Sequence, residues 1–110
     1  MAGKIVHSVV TAMNNFTQDE PLIARSCIVL NNLSIIEQYR PTLLWSTGCY
    51  KMLNLIRRIY AHNNVVRRSV DGILDNLRQL LSKDRYMCMR FVAFIKQDEN
   101  DQTAAQNESK

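Results

Sequence analysis

Apolar side chains recur every three or four residues along most of this chain, and short polar segments separate the runs. That spacing places the apolar residues of each run on one side of an α-helix. The pattern predicts six helices. The first ends near Asn14 and Asn15, and the others cover about residues 20–34, 36–46, 48–61, 64–82 and 84–96.

Polar residues and a proline mark where several of these helices begin. Asp19 precedes the second helix and is placed to accept a hydrogen bond from one of its free N–H groups. Asp84 stands in the same position before the last helix, and Asn63 or Asn64 can cap the fifth. Pro21 falls in a first turn, where the N–H that proline lacks has no partner within the helix.

Two apolar clusters predict buried faces. Residues 27–30 are all apolar, which is typical of a helix that neighbours cover on every side. The fourth helix is expected to bury one apolar face, formed by Met52, Leu55, Ile56 and Ile59. The cysteines lie in apolar helical runs and are expected to be small core residues: Cys27, Cys49 and Cys88.

The composition indicates a small helical protein. The chain has 110 residues, and its three glycines and two prolines are too few for a fold rich in tight turns. No apolar run reaches the roughly 18 residues that a membrane span needs. The first residues lack the pattern of a secretory signal, and three cysteines are too few for a disulfide framework. We therefore expect an all-α intracellular protein of the cytoplasm, the nucleus or both.

Charge divides the chain into a basic middle and an acidic end. Residues 38–96 carry a net charge of +8, and residues 97–110 carry −3. The acidic end has no large apolar side chain that could offset the entropy lost on ordering it. We expect a helical domain over residues 1–96, followed by a disordered acidic tail over residues 97–110.

The chain also contains an internal repeat. A displacement of 44 residues places the segment VLNNLS, which starts at Val29, on ILDNLR, which starts at Ile73. A displacement of 46 residues aligns the preceding helices, matching Val6 with Met52, Val9 with Leu55, Val10 with Ile56 and Met13 with Ile59. A period in the forties with two or three helices per unit is typical of a helical solenoid.

The repeated residues resemble those of the armadillo repeat family. A glycine opens the second helix of each unit (Gly3 and Gly48), and the third helix ends in leucine, any residue, asparagine, leucine at 30–33 and 74–77. The short helix that contains Pro41 takes the place of the family's first helix. The resemblance implies a short, right-handed, armadillo-like solenoid of about two repeats and a terminal helix.

This resemblance, which spans residues 3–82, also implies a binding role. In armadillo proteins the third helices line a groove, and their asparagines hydrogen-bond the backbone of an extended peptide, because a carboxamide can both donate and accept. By resemblance, Asn32 and Asn76 take that role here. The alternative is a local role, in which each asparagine bonds to the backbone of its own helix.

Arg25 and Arg68 precede these asparagines by about two helical turns and are expected to meet acidic groups of the partner. Ile28 and Gly72 stand where peptide-binding family members carry tryptophan, so an extended peptide is expected to bind more weakly here. The implied function is a non-enzymatic scaffold or adaptor that binds a peptide or an acidic protein partner.

Arginines cluster in the basic middle of the chain, at Arg57, Arg58, Arg67, Arg68 and Arg78. Arg67 and Arg68 lie near a helix N-terminus, where positive charge opposes the helix dipole, which favours an anion-binding patch. Asp71 follows Arg68 by three residues and Arg67 by four, so it can instead pair with these arginines along the helix, and Asp75 lies one turn further on. The patch supports an alternative function, that of a small basic helical protein that binds nucleic acid.

The sequence contains no catalytic constellation. His7 and His62 have no partner at the spacing of metal ligands, and no glycine-rich phosphate loop occurs. We therefore expect neither an enzyme nor a bound cofactor or metal.

Two repeats are fewer than the three that a solenoid usually needs to bury its apolar faces. We expect the first helix, at Val6 and Val10, or the last, at Phe91 and Ile95, to leave apolar surface exposed. Such a surface would recruit a partner, including a second copy of the chain. Alternatively, the chain belongs to a longer array that supplies the cover. Trp45 is expected to pack between the repeats.

Overall fold

The computed structural model of the chain describes residues 2–46, 48–94 and 96. All regular elements within these residues are helical, which confirms the predicted all-α class. The chain divides into two compact units, Met1–Leu80 and Leu81–Lys110. The acidic segment 97–110 lies outside the described residues, so its predicted disorder stays a prediction.

Five α-helices occupy the described residues up to Lys83: α1 (Ala2–Asn15), α2 (Glu20–Ile35), α3 (Arg40–Trp45), α4 (Cys49–Ile59) and α5 (Asn64–Lys83). A 3₁₀ turn over Glu37–Tyr39 precedes α3. The segment predicted as one helix over 36–46 is therefore a 3₁₀ turn followed by a short α-helix. In the second unit, residues 85–94 form a further helix, α6.

Local side-chain chemistry sets the helix starts as the sequence predicted. Asp19, Asn63 and Asp84 each accept through Oδ1 a hydrogen bond from the backbone N–H three residues ahead, at 3.0–3.2 Å. Of the two candidate caps for α5, Asn63 is therefore the one that bonds. Pro21 and Pro41 lie in the first turns of α2 and α3.

The first helix is covered rather than exposed. Helix α1 packs against α2 and α3. Val6 and Val10 are 1% and 5% exposed, so the prediction that they form an open apolar surface is wrong. Phe91 of α6 is also buried, which makes the same prediction wrong for that residue. Ile95 lies outside the described residues.

Helix α4 begins after Gly48, whose φ of 77° lies in the left-handed region that glycine adopts without steric cost. It buries Cys49, Met52, Leu53 and Ile56. Leu55 and Ile59 are 43% and 48% exposed, so their predicted burial is wrong. The reason is that α4 has more apolar residues than one face can hold, and its covered side includes Leu53 instead.

The loop between α1 and α2 lies beside the loop between α4 and α5. The Tyr60 hydroxyl donates to the Thr17 carbonyl oxygen at 2.5 Å. The Asn63 side chain donates from Nδ2 to Glu20 Oε1 at 3.0 Å, and the same oxygen lies 3.1 Å from Nε2 of His62. These contacts hold the N-terminal ends of α2 and α5 next to each other.

The C-terminal halves of α2 and α5 are also in contact. Asn76 Nδ2 donates to Ser34 Oγ at 2.9 Å. A Cβ atom at Gly72 would lie 2.7 Å from Asn31 Oδ1, so the Asn31 side chain of α2 reaches α5 there. Because contacts at both ends join residues 41 to 43 apart in sequence, α2 and α5 run parallel, side by side.

The two parallel helices turn their buried sides in the same direction. At about 100° per residue, the mean direction of the buried residues of α2 lies roughly 70° from Asn31 around the helix axis. In α5 the mean direction of the buried residues lies roughly 130° from Gly72, with the opposite sense of rotation. Since the helices are parallel neighbours that meet at these two residues, opposite rotations bring both buried sides to one core. The opposite sides of both helices face solvent together.

Within the described residues, no helix combines the length and apolar character needed to cross a bilayer.

Candidate interaction face

The solvent side of α2 carries a row of exposed aliphatic side chains. We call this row the α2 stripe, and it comprises Arg25, Ile28, Val29, Asn32, Ile35 and Ile36. Its four aliphatic members are 41–61% exposed. Asn32 lies near the centre of the stripe and Arg25 at its start, and both are exposed.

The sequence of α2 produces this stripe because it is apolar on two sides. Cys27 and Leu30 are fully buried, whereas Ile28 and Val29, which lie between them, are exposed. Successive residues of an α-helix point about 100° apart, so an unbroken apolar run projects partly outward when neighbours cover one side. The prediction that all of residues 27–30 are buried is therefore wrong for Ile28 and Val29.

Helix α5 adds polar groups beside the stripe. Arg68, Asp75 and Gln79 are exposed. Their positions lie within roughly 60° of Gly72, on the side of α5 that faces away from the core. The α2 stripe and these three residues form one continuous surface, which we call the α2–α5 face.

Three of the four predicted partner-binding residues lie on the α2–α5 face. Arg25 and Asn32 belong to the α2 stripe, and Arg68 belongs to α5. Asn76 is half-buried and lies in the contact between the two helices. The equivalent asparagines of the two repeats therefore have different surroundings, one open to solvent and one engaged by the neighbouring helix.

Gly72 lies in this contact, beside the side chain of Asn31. The nearest atom to a Cβ at this position would be Asn31 Oδ1, at 2.7 Å. A tryptophan would have to displace at least the Asn31 side chain, because its bulk would enter the α2–α5 contact. Ile28, the equivalent residue of the first repeat, is instead an exposed member of the α2 stripe.

The predicted basic patch is partly neutralised by carboxylates. Arg57 donates from Nε to Asp71 Oδ1 at 2.5 Å and from Nη2 to Oδ2 at 3.2 Å. This hydrogen bonding holds the pKa of the Asp71 carboxyl below its ordinary value, and the positive charges of Arg67 and Arg78 act in the same direction. The partner of Asp71 is thus an arginine of α4, and the prediction of pairing along α5 is wrong for this residue.

The remaining arginines of the patch differ in how they are held. Arg78 donates from Nη1 to Asp75 Oδ1 at 3.1 Å, and this pairing along α5 involves neither Arg67 nor Arg68, for which it was predicted. Arg67 donates from Nη2 to Asn64 Oδ1 at 3.1 Å. Arg58, on α4, is exposed.

The buried thiols have low reactivity. Burial raises the pKa of Cys27 to about 11 and that of Cys49 to about 12, so both are neutral near pH 7. Both side chains are fully buried, as predicted, whereas Cys88 is half-buried. Among the described residues, no group of three or more His, Cys, Asp or Glu side chains is arranged to hold a metal ion.

A groove of about 570 Å³ lies between α1 and α3, and sequence reasoning did not identify it. Its lining includes Val6 and Val10 together with His7, Thr11 and Trp45. The signal in the sequence is the set of polar residues of α1 that directly follow buried valines. The contacts that place α3 opposite them are long-range, so the pattern of α1 does not define the groove.

No family model, curated protein or solved structure matches this chain. The armadillo resemblance therefore rests on the repeated residues themselves and stays a prediction.

Proposed function

We propose that this chain is a non-enzymatic protein-interaction module whose α2–α5 face binds an acidic protein segment that also carries apolar side chains. The observation that carries the proposal is the coincidence of exposed aliphatic and cationic groups on one face. The aliphatic members of the α2 stripe are 41–61% exposed, and Arg25 and Arg68 are exposed residues of the same face. Exposed apolar patches rimmed by polar residues are typical of binding surfaces.

The proposed architecture is a short armadillo-like solenoid in which two helical hairpins, α1–α2 and α4–α5, are successive layers. Three observations support it. Helices α2 and α5 are parallel neighbours, their preceding loops are hydrogen-bonded to each other, and they bury the same side. Parallel third helices that share one open face are the arrangement that the armadillo resemblance implies.

Each part of the face has a distinct chemical task in this proposal. The aliphatic row removes apolar side chains of the partner from water. The Asn32 carboxamide donates to and accepts from the partner backbone, and Arg25 and Arg68 meet its carboxylates. Because all three polar groups are exposed, each adds modest binding energy, and we expect a dissociation constant on the order of micromolar.

Nucleic acid is the alternative ligand, and the pairing of the arginines makes it the weaker proposal. A phosphate backbone would have to compete with Asp71 for Arg57 and with Asp75 for Arg78. The same two carboxylates would also repel it. Arg58 and Arg67 are exposed and are the residues on which such binding would depend.

The test uses fluorescence polarisation with a 12-residue peptide that contains Glu, Asp, Leu and Ile. We expect Arg25→Glu/Arg68→Glu to weaken binding about tenfold or more. The control Arg58→Glu/Arg67→Glu changes the net charge by the same amount but alters residues outside the α2–α5 face, so we expect a change of less than about threefold. Equal losses in both variants would mean that net charge alone attracts the peptide.

A second titration separates the two proposed ligands. The same proteins are mixed with a 20-nucleotide single strand and with its duplex at low and moderate salt. Binding that falls steeply with salt and depends on Arg58 and Arg67 would favour nucleic acid and overturn the peptide proposal. We expect weak nucleic-acid binding that does not discriminate between the two double variants.

A further inference from the structure

The α2 stripe has an order of chemical groups that reads similarly from both ends. In chain order it runs Arg25, Ile28, Val29, Asn32, Ile35, Ile36, and the exposed Glu37 follows directly. One aliphatic pair thus lies on each side of the Asn32 carboxamide. A basic residue stands before the first pair, and an acidic residue stands after the second.

We propose that two copies of this chain pair through the α2 stripe, with their α2 helices antiparallel about a two-fold axis near Asn32. In a two-fold contact, residue i of one copy meets residue j of the other, and j meets i. The antiparallel arrangement places Ile28 and Val29 against Ile35 and Ile36 of the second copy. Every aliphatic side chain of the stripe then has an aliphatic partner.

The polar members of the stripe fit the same arrangement. Asn32 comes to lie beside Asn32 of the second copy, and two carboxamides can donate to and accept from each other. A single asparagine within an apolar helix–helix contact fixes the register of the two helices. At the ends, Arg25 of each copy faces Glu37 of the other, so unlike charges meet twice.

The extent of the stripe sets the strength of this pairing. From Ile28 to Ile35, the last residue of α2, the contact covers about 11 Å of helix, and we expect its area to fall below the roughly 1,200 Å² that stable interfaces exceed. We therefore expect a dimer that forms reversibly at micromolar or higher concentrations. The inference does not depend on the proposed peptide function, although the two ligands would compete because both use Arg25 and Asn32.

Sedimentation velocity over about 5–500 μM protein tests the pairing. We expect the wild-type sedimentation coefficient to rise with concentration, and Ile35→Asp to raise the dimer dissociation constant at least tenfold, because it places two carboxylates in the apolar contact. The matched control is Ile59→Asp, which alters an exposed isoleucine of α4 (48% exposed) and leaves the constant unchanged. Circular dichroism verifies that both variants are folded.

A charge exchange tests the antiparallel orientation. Arg25→Glu and Glu37→Arg should each weaken pairing about three- to tenfold, because each puts like charges at both ends of the contact. An equimolar mixture of these two variants should pair as strongly as the wild type, since each mixed pair has unlike charges at both ends.

Three results would overturn the proposal. They are a wild type that stays monomeric at every concentration, a dimer that Ile35→Asp does not weaken, and a mixture that does not recover wild-type pairing. The peptide titration is done at protein concentrations below those of pairing. A wild type that stays monomeric up to 500 μM in sedimentation, yet binds the acidic peptide in that titration, would refute the dimer and leave the proposed function intact.

Discussion

Asn76 Nδ2 donates to Ser34 Oγ at 2.9 Å, and the Ser34 hydroxyl donates to the Asn31 carbonyl oxygen at 2.7 Å. Ser34 is fully buried, so the polar group that α2 places in this helix contact is satisfied by α5 and by its own backbone. A buried hydroxyl that loses such a partner costs more free energy than the bond itself contributes. Asn76 therefore stabilises the contact between α2 and α5, whereas Asn32 is exposed to solvent.

We expect Asn76→Ala to lower the free energy of unfolding by about 1 kcal/mol, because the Ser34 hydroxyl loses its donor. A double-mutant cycle with Ser34→Ala, measured by urea denaturation, should give a coupling energy of about 0.5–1 kcal/mol. Asn32→Ala is the control, and as an exposed substitution it should change stability by less than about 0.5 kcal/mol. Equal costs for the two asparagines would contradict the assignment.

The buried thiols predict a loss of stability in alkali. Burial raises the pKa of Cys27 to about 11 and that of Cys49 to about 12, so the fold favours the neutral form of each. Their contribution is complete below the unfolded pKa near 9 and is lost as the pH rises from 9 towards 11–12. At pH 10.5 we expect about 2 kcal/mol lost per buried thiol.

Two measurements check this expectation. Urea denaturation at pH 8 and pH 10.5 should show a smaller alkaline loss in Cys27→Ala than in the wild type, while Cys88→Ser keeps the full loss. At pH 8, a thiol-reactive chromogenic disulfide should label Cys88, which is half-buried, well before Cys27 or Cys49. Rapid labelling of all three thiols in the folded protein would be inconsistent with their burial.

At the scale of elements, the contact of α2 with α5 depends on the missing side chain at Gly72. A Cβ there would meet Asn31 Oδ1, the end of a side chain that can move, whereas a larger side chain would need more room within the α2–α5 contact. We expect Gly72→Leu to destabilise the protein by about 2 kcal/mol. Arg68→Leu, one turn earlier on the exposed side of α5, should change stability by less than about 0.5 kcal/mol.

The background Asn31→Ala isolates the steric cause. Once the Asn31 side chain is removed, Gly72→Ala should stabilise the protein by up to about 1 kcal/mol, because alanine is the better helix former. Chemical denaturation of the wild type, Asn31→Ala, Gly72→Ala and the double variant measures the steric cost and the gain in helix propensity. If Gly72→Leu were as stable as the wild type, the two helices would not approach each other as described.

The elements differ in how much of them the sequence predicts. Helix starts follow from neighbours three residues away, and Asp19 and Asn63 cap helices as expected. The side that a helix buries depends on distant residues, so Val29 and Leu55 were predicted buried but are exposed. The apolar pattern alone does not distinguish the two sides of a helix that is apolar on both.

The candidate site follows the same rule. Arg25, Asn32 and Arg68 were identified from repeat positions, and their common face depends only on helix geometry and parallel packing. The role of Asn76 in the fold required knowledge of Ser34, 42 residues away. The spacing of residues within one helix cannot indicate a contact between residues so far apart in the sequence.

At the scale of the first unit, the two helical hairpins are joined at both ends of α2 and α5. The Tyr60 hydroxyl and the Asn63 side chain link the loops, and the bond from Asn76 to Ser34 links the far ends. In a stacked repeat protein, neighbouring layers stabilise each other and unfold together when their interface is strong. The proposed solenoid therefore predicts that a substitution that destabilises one hairpin also destabilises the other.

Ile23→Val in α2 and Ile73→Val in α5 provide a matched pair of mild tests. Both isoleucines are fully buried, and each substitution should cost about 0.5–1.5 kcal/mol without unfolding the protein. Hydrogen exchange followed by mass spectrometry should show that either variant lowers protection in α1, α2, α4 and α5 by similar factors. Ile59→Val, at an exposed position, should leave protection unchanged.

The competing arrangement, two hairpins that fold independently, gives a different pattern. Ile73→Val would then lower protection in α4 and α5 and leave α1 and α2 as protected as in the wild type. Adding Tyr60→Phe distinguishes the cases further, because it removes the hydrogen bond between the loops while retaining the buried ring. If the layers are coupled, this change should lower protection in both hairpins together, by about 1 kcal/mol.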